Sequence, residues 1–263
     1  MNLTLLYITF AGILMCLTSV IAAGILLLKE NILKKLLFPV VSISSGVFIG
    51  SAFLFLIPES MELFDSHQFA MFIVLIGFLA FFFLEELLKW HHCHKMPHEH
   101  ASEHVRSKDN KLGWLITFSD FFHNAIDGAS IAATFIISPK LGVLTTLSTF
   151  LHELPQEIGD VGILLHSGFK KKKAFLINLF SQLSFFIGAL FIYFYNNDFL
   201  IHLLMPFTAG TFIYVSAVDL VPEIKASHIA KERLLHAFYF LLGIFFIYFL
   251  VELFHHTHWI TKL

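Results

Sequence analysis

Cysteine is nearly absent: the 263 residues hold two, Cys16 inside an apolar run and Cys93 in a polar one, which excludes a disulfide framework. Charge is scarce as well. Asp, Glu, Lys and Arg make up 14% of the chain, and the formal net charge of −2 leaves no basic surface of the kind that binds nucleic acid. The apolar–polar alternation over about ten residues that marks a membrane barrel strand is missing. No basic residue precedes the first apolar run, and that run exceeds the core of a secretory signal, so it reads as a retained span.

Apolar surface is what the chain has in excess: 57% hydrophobic residues, 16% aromatics and a mean hydropathy of +0.78. One soluble core of this size cannot bury so much, which makes the lipid bilayer its solvent. Crossing the hydrocarbon layer as a helix takes about 20 apolar residues. Such windows fall at 5–28, 36–57, 69–88, 112–137, 141–165, 174–195, 199–221 and 236–254. The reading is all-α: one polytopic membrane domain over 1–263, a bundle of eight transmembrane helices whose longest connection is 91–110.

Lys and Arg favour the cytoplasmic side. Fifteen of the 17 follow odd-numbered spans: Lys29, Lys34 and Lys35; Lys89, Lys95, Arg106, Lys108 and Lys111; Lys170 to Lys173; Lys225, Lys231 and Arg233. Lys140 and Lys262 alone fall on the other side. The alternation supports eight spans and places both termini outside the cytoplasm. The compact loops suit a bacterial inner membrane.

The chain also repeats itself. Gly46, Phe48, Ile49, Leu56, Pro58 and Glu59 of span two recur 164 residues later as Gly210, Phe212, Ile213, Leu220, Pro222 and Glu223 of span seven. Span two ends outside and span seven ends inside, so spans 1–3 and 6–8 read as inverted repeats around spans 4 and 5, an arrangement typical of transporters.

Spans four and five carry what an apolar bundle should lack. Asp120, His123, Asn124 and Asp127 lie in the one; His152, Glu153, Gln156, Glu157 and Asp160 lie in the other. Each carboxylate at a helix centre is disfavoured by about 2.5–3.5 kcal/mol, and five of them rival the stability of an ordinary domain, about 5–15 kcal/mol. No basic side chain stands near enough in sequence to neutralise them. At 3.6 residues per turn His123 and Asp127 share a face, with Asn124 beside them. His152 and Gln156 repeat that relation, with Glu153 beside them. Two such faces would surround a cation with imidazole nitrogen and carboxylate and amide oxygen, a set suited to Zn²⁺ and also to Fe²⁺ or Mn²⁺. Pro155 cannot donate to the carbonyl of Leu151 and should leave that oxygen free beside the cluster. Gly128 and Gly159 read as structural.

These residues resemble the ZIP family of divalent metal transporters. The runs His123-Asn124-Ala125-Ile126-Asp127-Gly128 and His152-Glu153-Leu154-Pro155-Gln156-Glu157-Ile158-Gly159-Asp160 are similar to its motifs in spans four and five. The resemblance implies a transport site of His123, Asp127, His152 and Gln156, and a second metal position from Asn124, Glu153 and a shared Asp127. It further implies zinc uptake toward the cytosol, movement of a helix group carrying the site against a fixed group, and a homodimer. Members often have His or Glu where Gln156 stands, and Asp and His where span two has Ser51 and Phe55. No organic cofactor is expected.

The competing reading is an intramembrane zinc hydrolase. His152-Glu153 opens like the His-Glu-x-x-His signature, but its fifth position is Gln156 and Pro155 interrupts the turn. The loop histidines His91, His92, His94, His98, His100 and His104, with Cys93, form a candidate cytoplasmic metal trap. His255, His256 and His258 read as interface residues, and the clustered aromatics around Phe81 to Phe83 as lipid-facing or packing residues.

Overall fold

The computed structural model describes residues 3–25, 30–90, 110–220 and 230–256, and among these there is no strand. The elements are α1 (Leu3–Ile25), α2 (Glu30–Ser51), α3 (Ile57–Leu63), α4 (His67–Trp90), α5 (Asn110–Ile137), α6 (Pro139–His166), α7 (Lys171–Gln182), α8 (Ser184–Tyr195), α9 (Asp198–Tyr214) and α10 (Ala230–His256). The histidine-rich loop, His258 and the Val221-Pro222-Glu223 end of the second repeat lie outside the described residues.

Among the described residues, six helical stretches are long and apolar enough to cross a membrane: 3–25, 39–63, 67–84, 171–195, 198–218 and 231–254. The helices α5 and α6 are not among them. At 28 residues each they are the longest, about 42 Å at 1.5 Å per residue, but their apolar character is diluted by the polar runs they carry.

Two elements depart from the simple windows. The sixth is broken at Leu183, where α7 ends and α8 begins. Span two rewinds as a π-helix over Ala52–Leu56 just ahead of Pro58, with the Ile57 amide reaching the Ala52 carbonyl. A second π-helical stretch, Val215–Leu220, ends the described part of span seven. It ends 164 residues after the first, the spacing of the sequence identities.

Local chemistry sets the helix ends. Gly168 adopts φ 94°, and the amides of Phe169 and Gly168 donate to the carbonyls of Leu164 and Leu165. These bonds close α6 with a Schellman turn, in which Phe169 packs on Leu164. Asn196 takes the left-handed conformation after α8, and the Asn197 side chain caps α9 by accepting from the Leu200 amide at 2.9 Å.

Two groups of helices emerge from the packing. In one, α2 lies on α10 and α4 on α9, around a core of Val47, Phe48, Leu56, Val74, Phe212 and Ile247. In the other, α5 lies on α8 and α6, and α1 on α6, around Ile8, Met15, Ile131, Phe135, Phe185 and Ala189. Glycine permits the closest approaches. A Cβ on Gly46 would strike the Phe240 carbonyl and one on Gly210 the Val74 carbonyl. Gly128 of α5 faces the Phe185 carbonyl in the same way, whereas Gly159 meets nothing. Outward faces are apolar: Phe83, Phe194, Leu234, Phe245 and Phe249 are all exposed.

Candidate metal centre

The helices α5 and α6 run side by side, and their polar faces meet inside the bundle. Each face is the product of helical spacing: His123 and Asp127 stand one turn apart on α5, and His152 and Glu153 flank the same point from α6. The two histidines approach with their Nε2 atoms 3.0 Å apart. Asp127 Oδ2 lies 3.6 Å from His123 Nε2 and 3.7 Å from His152 Nε2. Glu153 Oε1 lies 3.5 Å and 3.1 Å from the same two nitrogens. Ligand atoms of the four residues all fall within 4.8 Å of one another, and all four residues are buried.

That geometry suits a tetrahedral ion. Ligands about 2.0–2.1 Å from Zn²⁺ stand roughly 3.3 Å from each other, in the middle of the observed range. The polar inventory agrees. Asp127 Oδ2 and Glu153 Oε1, the oxygens turned to the histidines, are buried without a hydrogen-bond partner, as is His152 Nδ1. Orphaned buried acceptors are costly unless something occupies them.

Rings wall one side of the cluster. Phe48 of α2 lies over His152 with centroids 4.2 Å apart and stacks on Phe212 of α9 at 4.1 Å. Phe81 of α4 meets His123 edge-on at 5.2 Å. Phe81 is thus buried against the cluster, while Phe82 and Phe83 are exposed.

Glu153, which the resemblance assigns to a second position, faces both histidines as Asp127 does, and at shorter distances. Gln156 is turned elsewhere: its amide reaches Asp120 Oδ1 at 3.4 Å. The Asp160 carboxyl lies near that of Asp120, and no donor reaches Asp120 Oδ2. An acidic lane therefore continues from the cluster toward the start of α5 and the end of α6. The Leu151 carbonyl is not free. Ser44 of α2 donates to it at 2.5 Å, replacing the amide that Pro155 lacks.

Three polar residues that sequence reasoning did not single out complete the surroundings. Glu157 Oε2 accepts from Ser19 of α1 at 2.8 Å and from the Asn178 amide of α7. Gln182, the last residue of α7 and 1% exposed, satisfies its hydrogen bonds only with its amide nitrogen turned to the carboxylates. That nitrogen then lies 3.1 Å from Glu153 Oε2, 3.2 Å from Asn124 Oδ1 and against Glu157 Oε1. The available signal was the i, i+4 pair Asn178 and Gln182 on one face of an otherwise apolar span.

Apolar helices enclosing a buried His–carboxylate cluster define an integral membrane protein with an internal candidate metal site. Residues 3–113 and 90–251 match the ZIP Zinc transporter family. The chain belongs to that family, whose members are transporters and not enzymes. It is 34% identical over 184 residues to zinc transporter zipt-7.1 of Caenorhabditis briggsae, covering 59% of this chain and 47% of the relative. Metal cation symporter ZIP14 of Xenopus tropicalis is 27% identical over 280 residues, 82% of this chain and 60% of the relative. An uncharacterized zinc transporter of Schizosaccharomyces pombe is 32% identical over 162 residues, 56% of this chain and 36% of the relative. The chain thus spans less than two thirds of the length of these relatives. The hydrolase reading has no support among them.

Proposed function

We propose that this protein carries divalent transition-metal ions across its membrane, Zn²⁺ foremost, by alternating access around the cluster between α5 and α6. His123, Asp127, His152 and Glu153 hold the ion, Asn124 stands beside them on α5, and Gln156 serves Asp120 instead. The observation that carries this reading is the convergence of two imidazole nitrogens with two buried carboxylate oxygens that have no other partner. Two neutral imidazoles and two carboxylates are neutralised by one divalent cation, which offsets the burial of both charges. Fe²⁺ and Mn²⁺ accept the same donor types and are the competing cargoes.

Eight spans and inverted repeats belong to the same proposal. They are supported by the charge alternation, by the paired π-helical stretches before the repeat ends, and by the equivalent close contacts of Gly46 and Gly210. Transport toward the basic, cytoplasmic side, which the family resemblance implies, belongs to the same proposal, with both termini outside. Movement occurs between the α1, α5, α6, α7 and α8 group, which holds the ion, and the α2, α4, α9 and α10 group, which supplies the aromatic wall.

The experiment is ⁶⁵Zn uptake into liposomes of known protein orientation. Saturable uptake is expected for the native chain, with a loss of at least about 100-fold in His123→Ala and Asp127→Ala, on the scale of removing a buried ligand worth about 3 kcal/mol or more. Competition by Fe²⁺ and Mn²⁺ ranks the cargoes. Absence of flux under every gradient in folded protein would refute transport.

A further inference from the structure

We propose that Phe48 is a positioning residue for the ion: its ring, pressed on His152 from the neighbouring helix group, aims the imidazole at the metal in place of the hydrogen bond that usually does so. The inference rests on the transport-site reading above and concerns how one of its ligands is held.

A histidine that binds metal through Nε2 carries its proton on Nδ1. That N–H ordinarily donates to a carboxylate, a carbonyl or water, and the bond fixes both the tautomer and the ring orientation. His152 departs from the rule. Its Nε2 is committed to the cluster, 3.0 Å from His123 Nε2, 3.1 Å from Glu153 Oε1 and 3.7 Å from Asp127 Oδ2. Turning the ring over would set a carbon in place of that nitrogen. Its Nδ1 is buried and has no hydrogen-bond partner among the described residues. No polar contact therefore holds the angle of the ring from behind.

Packing holds it instead. The Phe48 ring lies 4.2 Å from the imidazole, centroid to centroid, inclined by 41°. Phe212 stacks on Phe48 at 4.1 Å and 24°, which keeps that ring from backing away. Phe48, Phe212 and His152 are at most 2% exposed, and in an interior so dense a ring turns only if its neighbours yield. Phe48 belongs to α2 and His152 to α6, on opposite sides of the boundary where the two groups meet. The grip of His152 on the ion is thus set by the seating of one group on the other, and a shift of α2 that withdraws the ring frees the ligand to turn.

The test is Zn²⁺ affinity under a metal buffer for the full chain in detergent, in four forms: wild type, Phe48→Leu, His152→Ala and both together. Leucine keeps the position apolar and removes the flat face. Phe48→Leu is expected to weaken binding about 10–100-fold, the usual effect of losing a ligand's orienting partner, and to add nothing once His152 is alanine. Metal on the 91–110 loop contributes equally to the four proteins and cancels. Undiminished affinity in Phe48→Leu overturns the proposal. So does an equal loss with and without His152, because Phe48 would then act by general packing or by excluding water. The structure of the zinc-loaded wild type is a check that needs no variant: His152 bound through Nε2 with Nδ1 unpaired is expected, and a protein acceptor or a water within about 3.2 Å of Nδ1 overturns the proposal. Zinc binding unaffected by His152→Ala would instead overturn the transport site itself.

Discussion

Ser44 donates to the Leu151 carbonyl, the acceptor that Pro155 leaves without a helical donor. The repair comes from α2, so a helix of the wall group holds the weakest turn of the ion-bearing helix. Removing the hydroxyl leaves a buried carbonyl unsatisfied, at about 1–3 kcal/mol. Ser44→Ala should lower the thermal unfolding midpoint in detergent by several degrees, and Ser44→Thr should restore most of it. His123 and Asp127 were legible because i, i+4 spacing puts them on one helix face; on α6 the same spacing paired His152 with Gln156, and Glu153 entered only as the neighbour beside them. Gln182, Asn178 and Ser19 were not: their partner Glu157 lies on another helix, and no periodicity within a segment encodes a contact between segments. Gln156 misleads for a related reason. Its position on the face allows it to point at the histidines, but Asp120 offers its amide an acceptor.

At the scale of elements, close helix contact is written in glycine, though not every glycine writes it. Gly128 brings α5 against the Phe185 carbonyl of α8, while Gly159 of α6 has open space beside it. Gly128→Ala should separate α5 from α8 and lower stability. Gly159→Ala should raise it by roughly 0.5–1 kcal/mol, since alanine is the better helix former and meets no obstacle. Paired thermal melts of the two variants, read for opposite signs, check both statements. Six of the apolar windows stand out by hydropathy, and α5 and α6 are recognisable by the polar runs that dilute them. The π-helical rewinding at Ala52–Leu56 left no trace in composition, being a single-turn change in hydrogen bonding within an apolar run. The break at Leu183 falls in the polar stretch Ser181-Gln182-Leu183-Ser184, which a reading by apolar windows passes over.

Across the whole molecule, the two helix groups meet through small hydroxyls and stacked rings. Ser51 of α2 and Ser148 of α6 stand 2.6 Å apart, and Thr208 of α9 donates to Ser130 of α5 at 2.7 Å. Such contacts are weak individually, about 0.5–1.5 kcal/mol each, and can be exchanged as one group slides on the other. A disulfide cannot. The double variant Ser51→Cys, Ser148→Cys should lose zinc flux on oxidation and regain it with reductant, while keeping metal bound at the histidines. Undiminished flux through a fully oxidised protein would mean that the groups need not slide.

The rings of Phe48 and Phe81 against the histidines also bear on which ions can be accepted. An ion arriving there must strip off its water shell against hydrocarbon that offers no oxygen in exchange, and recoups the loss only from imidazole and carboxylate on the other side. On the proposed reading, Zn²⁺, which favours imidazole and carboxylate donors, makes that trade, and Mg²⁺, which sheds water reluctantly and prefers an octahedron of oxygens, does not. The aromatic wall would then act as a dehydration filter, set against Mg²⁺ without touching it through a polar group.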